Sequence, residues 1–432
     1  MGSDRPDGTR AVLEKLYDLA VARAHPRQCL PSHLPTLTAG QRLLVIGAGK
    51  AAAAMAQAAE ARYGALSPDR FQGFVVTRHG SGLPLARLGL IEAGHPVPDA
   101  GSIEAARRAL ALAATAGADT LVLVLLSGGA SALLMAPVPT VSVDAKQTLT
   151  RQLLKCGARI GEINTVRKHI SRIKGGKLAA AVAASGARLI TLAISDVPGD
   201  EPASIGSGPT VPDPTTLADA RDVLTRYGVS PPPEVAAALA DPANETLKPG
   251  APALAGQTFT LVAAPQASLE AAAEAVRALG YRPVVLGDAL EGEARDTGAA
   301  HAAMARDARL KGERIAILSG GELTVTVRGT GAGGPNQEYA LALAIALAGT
   351  PGIAAIAADT DGIDGGGGNA DDPAGAVVLP DTLARAASQG LDAVKFLANN
   401  DSTGFFRAAG GLVQRGGTQT NVNDFRCVLV DP

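Results

Sequence analysis

Short apolar segments alternate with longer amphipathic segments along almost the whole chain, and this alternation predicts an α/β protein. In the first half, the apolar segments are RLLVIG (42–47), GFVVT (73–77), TLVLVLL (120–126) and ARLITLAI (187–194). Because these segments are continuously apolar, they are typical of strands buried on both faces of a parallel sheet. The stretches that predict helices between them are 50–63, 102–116, 143–160 and 215–227. Repeated strand–helix units of this kind predict a doubly wound α/β N-terminal domain.

The segment 229–257 interrupts the alternation, because its prolines stop regular structure. We therefore interpret 229–258 as a linker between an N-terminal domain over 1–228 and a C-terminal domain over 259–432. Beyond the linker the alternation resumes, which predicts a second, smaller α/β domain. Within it, RIAILSGGELTVTVRG (314–329) predicts a β-hairpin, since ELTVTVR alternates with period two.

Composition and charge limit the partners that we expect. The 432 residues are 47% hydrophobic and carry a formal net charge of -2 without a long basic block, so neither nucleic acid nor an anionic membrane is expected to bind. The N-terminal sequence lacks the apolar segment of a signal peptide, and no apolar run approaches the ~20 residues that cross a bilayer. Three widely spaced cysteines fit a reducing compartment. We expect a cytoplasmic protein, and its oligomeric state stays open, with a homodimer as one option.

A glycine turn after the first predicted strand is the first candidate for chemistry. Gly47, Gly49 and Ala52 satisfy the G-x-G-x-x-A pattern of a dinucleotide-binding turn. The next predicted strand ends in Thr77 and Arg78, without the carboxylate that would hold the ribose of NAD. NADP, with Arg78 at its 2′-phosphate, therefore remains as the redox alternative.

Lys50 gives the same turn a second interpretation. It stands at the start of the predicted helix, where free N–H groups and the positive end of the helix dipole already attract an anion. A cation is locally unfavourable at this position. We therefore interpret Lys50 as a residue that serves an anionic ligand.

The segment LLSGGASALL (125–134) offers a second anion-binding turn. It follows a strongly apolar predicted strand and places Ser127, Gly128, Gly129 and Ser131 at a helix start. Backbone N–H groups in such a turn can cradle a phosphate, although a glycine turn used only for packing would have the same sequence.

The segment INTVRKHISRIKGGKLA (163–179) is strongly cationic. Arg167, Ser171 and Lys174 have the i, i+4, i+7 spacing of one helical face. No acidic residue occurs between Glu162 and Asp196, so ion pairing within the segment does not account for the charge. We interpret this face as a site for a small acidic substrate.

Later polar loops offer oxygen and amide groups. Asp196 directly follows a predicted buried strand, where a carboxylate can bind a metal or accept a hydroxyl proton. The acidic loop AADTDGIDGGGGNADD (357–372), which contains Asp361, suits Mg²⁺ but lacks the spacing of an EF-hand. The segment GTGAGGPNQEYALAL (329–343) places Gly333 and Gly334 before a helix, with Asn336 in its first turn.

Taken together, these loops resemble the class II glycerate 2-kinase family, whose C-terminal half is called the MOFRL domain. The stretches that carry the resemblance, in the order of the family, are GAGKAAAAMA, GHPVPD, LLSGGASALL, INTVRKHISRIKGGKLA, SDVPGDEPASIGSGPT, SGGELTVTV, GGPNQEYALA, ADTDGIDG and TNVND. They span residues 45 to 425. The resemblance implies transfer of the γ-phosphoryl group of ATP to the 2-hydroxyl of D-glycerate, with a divalent cation required. It also implies a Rossmann-like N-terminal domain and a smaller α/β C-terminal domain, with the active site in the cleft between them and Lys50 as the catalytic lysine.

Two departures from the family pattern bear on this interpretation. Some members have a catalytic arginine in the GGxNQE segment, where this chain has Pro335, and Arg328 is a candidate to replace its charge. Gly417 stands where the family usually has a proline. Members with the Pro335 variant are often labelled hydroxypyruvate reductases, so an NAD(P)H-dependent hydroxypyruvate reductase remains the alternative. A non-catalytic sugar-acid sensor is a further alternative.

The kinase hypothesis assigns a role to each candidate residue. The catalytic candidates are Lys50, Asp196 and Arg328. The candidates for holding the glycerate carboxylate or the phosphates are Ser127, Gly128, Gly129, Ser131, Arg167 and Lys174. The candidates for the nucleotide are Gly47, Gly49, Gly333, Gly334 and Asn336, and those for Mg²⁺ are Glu322 and Asp361. The expected cofactors are thus ATP and Mg²⁺.

Overall fold

The computed structural model describes residues 6–365 and 371–432. The chain forms two compact units, because its middle part is inserted between its two ends. We call Cys29–Val262 the inserted unit, and Met1–Gln28 together with Ala263–Pro432 the terminal unit. The helices are α1 (Pro6–Ala24), α2 (Pro26–Cys29), α3 (Ala52–Tyr63), α4 (Ala100–Thr115), α5 (Ala130–Leu133), α6 (Val143–Lys155), α7 (Ile160–His169), α8 (Lys177–Ala184), α9 (Leu217–Arg226), α10 (Pro233–Ala240), α11 (Pro265–Ala278), α12 (Ala294–Leu310), α13 (Pro335–Leu347), α14 (Thr382–Ser388), α15 (Ala393–Ala398) and α16 (Ser402–Ala409).

The inserted unit contains a six-stranded sheet in the order β3-β2-β1-β4-β5-β6. Its strands are β1 (Arg42–Ala48), β2 (Phe71–Arg78), β3 (Gly89–Ala93), β4 (Thr120–Leu126), β5 (Arg188–Ile194) and β6 (Thr258–Ala263). The pairs β1–β2, β2–β3, β1–β4 and β4–β5 are parallel. The chain leaves β1 toward one edge of the sheet and leaves β4 toward the other, so the order reverses between these two strands. Parallel sheets bind their ligands at such a reversal.

Alanine-rich helices let the inserted unit pack closely with few aromatic side chains. Every residue of β4 is buried, and α3 buries Ala52, Ala53, Ala54 and Ala56. Small side chains on a helix allow its backbone to lie close to the strands beneath it. Away from the sheet, α6, α7, α9 and α10 pack around a separate apolar cluster that includes Leu149, Val166 and Leu224. This helical cluster carries several of the charged residues considered below.

The terminal unit contains a mixed sheet in the order β11-β10-β9-β12-β8-β7. Its strands are β7 (Arg282–Val285), β8 (Ile315–Ser319), β9 (Ile353–Asp359), β10 (Gly375–Val378), β11 (Leu412–Val413) and β12 (Asp424–Val430). Only β7–β8 is parallel among the described pairs of this sheet, and β12 runs antiparallel to both β8 and β9. One apolar cluster joins α1 and α11 to this sheet, and a second joins α12 and α13 to it.

The structure confirms the predicted α/β class with a parallel N-terminal sheet, but it places the boundaries of the units elsewhere. Helix α1 packs with the terminal unit, because its buried Leu13, Leu16 and Tyr17 complete the apolar cluster beside α11. The expected linker 229–258 contains α10, which packs on the helical cluster, and ends at β6 of the first sheet. The sequence predicted two continuous domains separated by that linker. The structure instead shows one unit inserted into the sequence of the other.

The predicted hairpin over 314–329 is wrong. Strand β8 is present, but the alternating residues after it form no second strand of the sheet. They run instead beside the segment before α12, where the N–H groups of Glu322 and Thr324 donate to the carbonyls of Leu290 and Gly292. An alternating pattern indicates extended backbone, and here the partner of that backbone is a loop. Among the described helices, none combines the length and apolar character needed to cross a membrane.

We expect Leu16→Ala to lower the free energy of unfolding by about 2–5 kcal/mol, because it opens a cavity where α1 packs on the rest of the terminal unit. Leu16 is 2% exposed. Leu19, on the same helix, is 38% exposed, and Leu19→Ala should change the free energy by about 0.5 kcal/mol or less. Urea titrations followed by circular dichroism measure both variants. Equal effects of the two changes would contradict the packing of α1 on this unit.

Candidate functional site

Two turns meet at the carboxyl ends of β1 and β4, where the strand order reverses. Ala48 and Leu126, the last residues of these strands, are direct partners in the sheet. Beyond them, the N–H of Lys50 donates to the carbonyl of Gly128 at 2.8 Å, and the N–H of Ala51 donates to the Ser127 Oγ at 3.0 Å. The turn that follows β1 is thus fixed directly on the turn that follows β4.

Glycine is required at two positions of these turns. Gly49 has a φ of +132°, and a Cβ at this position would lie 2.1 Å from the Ser127 Oγ. Gly129 has a φ of +83°, and a Cβ there would lie 2.9 Å from the ring of His95. Gly47 is different, because it lies inside β1 and faces Val75 at a distance that leaves no room for a Cβ. The predicted nucleotide residue Gly47 is thus buried in the sheet, and Gly49 makes the turn.

The turn after β4 presents N–H groups that could bind an anion. The N–H groups of Gly128 and Gly129 make no hydrogen bond within the described parts of the chain. Gly129 is the N-cap of α5, and Lys50 is half-buried close by, its Cγ 3.6 Å from where a Gly129 Cβ would stand. Unbonded amides beside a lysine, at the reversal of a parallel sheet, are the arrangement that binds phosphates and carboxylates.

Arg167 and Lys174 converge on Ser131, one turn beyond these glycines. The Lys174 Nζ donates to the Ser131 carbonyl at 2.7 Å and to the Ser131 Oγ at 3.0 Å, and the Arg167 guanidinium reaches the same carbonyl at 3.4 Å. The Ser131 hydroxyl is also 2.7 Å from the Ser207 Oγ. The predicted substrate residues Ser131, Arg167 and Lys174 are therefore brought together.

The route by which they meet differs from the prediction. Arg167, Ser171 and Lys174 do not share a helical face, because α7 ends at His169 and the chain turns before α8 begins. The Ser171 Oγ accepts from the N–H groups of Ile173 and Lys174, which stabilises the turn. Lys174 therefore reaches Ser131 because of the turn between α7 and α8, and not because of a shared helical face.

Part of the cationic segment has acidic partners, but they lie outside the segment, in agreement with the expectation that pairing within it does not account for its charge. Lys168 lies 3.2 Å from Asp213, and His169 lies 2.8 Å from Glu245. The ring of His169 also bonds the carbonyl of Thr165 at 2.8 Å, so both of its nitrogens face acceptors. The acidic partners come from residues 213–245, a segment distant in the sequence, which a local count of charges does not reveal.

Lys146 joins the same region and was not identified from the sequence. Its side chain is 1% exposed, and its Nζ donates to the carbonyl of Ile170 at 3.1 Å. Burial, together with neighbouring cations, holds the pKa of Lys146 and of Lys174 well below the ordinary value. A signal was present in the sequence, because Lys146 occupies the same face of α6 as the buried Leu149 and Leu153.

Asp196 lies two residues beyond the end of β5 and is half-buried. Since β5 is the parallel neighbour of β4, Asp196 lies at the edge of the sheet that carries Ser127 and Lys50. The proposed general base and the proposed cation are thus at one edge of one sheet.

A second cluster of charged residues lies in the terminal unit, around Asn336. The Asn336 Nδ2 donates to Asp364 at 3.2 Å and to Asp424 at 2.6 Å, and Gln337 donates to Asp364 through both its backbone and its side chain. Asp424 is also paired with the buried Arg426. Burial, with Asp424 nearby, raises the pKa of Asp364 to about 7. Asn336, predicted to be near the nucleotide, is 1% exposed and joins two carboxylates.

The glycines before α13 allow a close approach of backbone segments. A Cβ at Gly333 would lie 2.1 Å from the Ser402 Oγ, and one at Gly334 would lie 2.4 Å from the backbone of Asp364. Packing therefore accounts for glycine at both predicted nucleotide positions.

The other predicted metal and catalytic residues of the terminal unit lie partly on its surface and partly in a buried turn. Glu322 and Arg328 are exposed on the segment that follows β8. Asp361 is 4% exposed, and its carboxylate accepts from the N–H of Ile363 at 2.9 Å. Residues 366–370 of this acidic loop lie outside the described residues. Over 6–365 and 371–432, no group of three or more His, Cys, Asp or Glu side chains is arranged to hold a metal by itself.

Comparison with known families matches most of the chain. Residues 12–240 match a family described as "Domain of unknown function (DUF4147)", and residues 315–424 match the MOFRL family. Together these matches include the turns after β1 and β4, the cationic segment and the cluster around Asn336.

Proteins with related sequences and structures carry two kinds of name. A D-glycerate 2-kinase of Thermotoga maritima is 37% identical over 98% of this chain and 99% of its own length. A protein of Agrobacterium vitis, named provisionally as a hydroxypyruvate reductase, is 49% identical over 98% of this chain and 94% of its own length. The crystal structure of glycerate kinase from Thermotoga maritima has a TM-score of 0.87 at 35% identity, over 98% of this chain and 100% of that one.

Proposed function

The chain belongs to the glycerate 2-kinase family with a MOFRL domain, and we propose that it is itself an ATP-dependent glycerate 2-kinase. The reaction transfers the γ-phosphoryl group of ATP to the 2-hydroxyl of D-glycerate and yields 2-phosphoglycerate and ADP. Relatives named as glycerate kinases support this activity over that of a reductase, as does their shared fold.

One observation on this chain carries the proposal: the reversal of the parallel sheet is lined by amides and cations. Gly128 and Gly129 present unbonded N–H groups there, Lys50 lies beside them, and Arg167 and Lys174 meet at Ser131. Phosphoryl transfer depends on positioning and on neutralising negative charge, and this edge supplies both.

The reductase alternative has less support from the same edge. Strand β2 ends in Thr77 and Arg78 with no carboxylate for a ribose, and the Arg78 Nε donates to the Ser81 Oγ at 2.9 Å. Binding of a nicotinamide dinucleotide would also give no role to Lys50 in the turn after β1. The geometry therefore favours a kinase.

We assign the roles within the reaction as follows. Gly128, Gly129 and Ser131 would orient the oxyanions of the substrates, with Arg167 and Lys174 supplying positive charge. Lys50 would neutralise the charge that develops on the transferring group. Asp196 would orient the 2-hydroxyl or accept its proton.

The acidic residues of the terminal unit fit Mg²⁺ only in part. Asp364 and Asp424 are occupied by amide donors and by Arg426, so neither carboxylate is available to a cation. We propose Asp361, in the buried turn of the acidic loop, and Glu322 as carboxylates that contribute to binding the ion. Mg²⁺ commonly takes one or two carboxylates and completes its shell with water and substrate phosphates, so no larger protein cluster is needed. Bound there with ATP, the ion would neutralise phosphate charge.

The activity itself is tested by two assays on the purified protein. We expect D-glycerate with Mg-ATP to yield ADP and 2-phosphoglycerate, distinguished from 3-phosphoglycerate by phosphorus NMR. Hydroxypyruvate with NADPH should give no oxidation of the nicotinamide. Oxidised NADP⁺ without any ATP turnover would reverse the assignment.

Lys50→Ala should lower kcat by about 10²–10³-fold, because a donor to the developing charge is lost. The exposed Arg62, near the end of helix α3, which follows the turn that carries Lys50, provides the control, and Arg62→Ala should retain the activity of the parent. Circular dichroism of both variants shows whether they fold. Near-normal turnover in a folded Lys50→Ala protein would remove Lys50 from the mechanism.

Asp361→Asn should raise the Mg²⁺ concentration needed for half-maximal activity by about tenfold or more, because one anionic oxygen ligand becomes neutral. The bond from the Ile363 N–H can still be made to the asparagine oxygen, so folding should be retained. Asp371, exposed on the same loop, is the matched control as Asp371→Asn. An unchanged metal titration of Asp361→Asn would refute this ligand.

A further inference from the structure

Three cationic side chains of the inserted unit meet without a counter-charge. Lys146 and Lys174 are each 1% exposed, and Arg167 is half-buried. Their hydrogen bonds go to neutral acceptors only: the carbonyls of Ile170 and Ser131, the Ser131 Oγ and the Asn164 Oδ1. No described carboxylate lies within 4.0 Å of any of the three.

Such a cluster is unfavourable while all of its members are charged. A buried ammonium group without an anion releases its proton more readily than one in water, since the charged form has lost its hydration. Arg167 keeps its charge at any ordinary pH. The two lysines are the members that can respond, and each lies in the field of Arg167.

The neighbouring charged residues do not compensate the positive charge of Lys146, Arg167 and Lys174. Lys168 on α7 is paired with Asp213, and the His169 ring on the same helix lies 2.8 Å from Glu245, which also pairs with Lys248. Lys177, at the start of α8, adds a further cation; burial lowers its pKa to about 8, and its Nζ donates to the carbonyls of Ser171 and Asn244. The acidic groups near α7 are therefore committed to other cations, and a counter-charge for this cluster has to arrive with a ligand.

We propose that Lys146, Arg167 and Lys174 form a subsite that takes up its anion together with one proton from solvent. An oxyanion beside Ser131 supplies the missing counter-charge, so a neutral lysine amine gains a proton and becomes ammonium as the anion binds. The inference rests on the proposed function for the nature of the anion, which is a carboxylate of the hydroxy acid or a phosphate. Lys146 acts in it as a positioning residue behind Lys174.

The alternative is that Lys146 only stabilises the end of α7. Its ammonium donates to the Ile170 carbonyl, where a cation is favourable next to the carboxyl end of a helix. A purely structural lysine would affect the melting temperature, but it would not change how many protons accompany the anion. Proton uptake therefore separates the two roles.

Isothermal titration calorimetry of the full-length protein, in two buffers of different ionisation enthalpy, measures the protons taken up per bound anion. With D-glycerate or inorganic phosphate as the probe, we expect about 0.5–1 proton at pH 8. Affinity should consequently fall as the pH rises from 7 to 9. Uptake with D-glycerate only assigns the subsite to the carboxylate, and uptake with phosphate only assigns it to the phosphate. No uptake with either probe overturns the proposal.

Lys146→Met should reduce the uptake by about half or more, because one titrating amine and its repulsion of Lys174 are both removed. Lys155, exposed on the same helix α6, provides the control, and Lys155→Met should retain the uptake of the parent. Lys146→Arg, which stays charged, should bind the anion with less uptake than the parent. Full uptake in folded Lys146→Met overturns the role of Lys146.

These titrations use neither ATP nor turnover, so the two hypotheses can fail separately. Proton-coupled anion binding in a protein without kinase activity would refute the proposed function alone. Kinase activity without proton uptake would refute this inference alone.

Discussion

The contact between Gly49 and Ser127 is the constraint on which the site at the sheet edge depends. Strands β1 and β4 are parallel neighbours whose chains leave in opposite directions, so their turns must pass each other at one edge. Only a residue without a side chain allows the passage, since a Cβ at position 49 would lie 2.1 Å from the Ser127 Oγ. Once the turns are locked by the bond from Lys50 to Gly128, the amides of one turn and the lysine of the other must lie at the same edge.

The two units treat buried charge in opposite ways, and the contrast indicates where ligands bind. In the terminal unit, the buried Asp424 is paired with Arg426, and Asp364 accepts hydrogen bonds from Asn336 and Gln337, although the Asn336 Oδ1 and the Arg426 Nε have no hydrogen-bond partner among the described residues. In the inserted unit, Lys146, Arg167 and Lys174 have only neutral acceptors among the residues that the structure describes. A buried ion pair has its counter-charge within the protein, whereas uncompensated buried charge costs free energy that a bound counter-ion can return. Uncompensated charge at a sheet edge is thus better explained by binding than by stability.

Much of the parallel sheet and of its glycine turns could be predicted from the sequence, because continuous apolar runs and glycines indicate them within a few residues. The continuous apolar run of β4 and the glycines that follow it correctly locate a strand and the glycine turn after it, and anion binding at that turn stays a prediction. Residues that depend on distant partners could not be predicted in this way. Asp213 and Glu245 neutralise part of the cationic segment from far along the chain, and α1 packs with strands that follow it by more than 200 residues. Lys146 was recognisable only as a charge at an apolar position of α6.

The same glycine turn could serve hydride transfer or phosphoryl transfer, so its backbone alone does not decide between them. A dinucleotide needs its ribose held by a carboxylate at the end of the next strand, and β2 ends without one. A migrating phosphoryl group needs positive charge, and Lys50 brings it to the turn itself. The names of the relatives are divided between the same two activities. Charge at the end of the strands, more than the glycine pattern, is therefore the feature of this chain on which our proposal of a kinase depends.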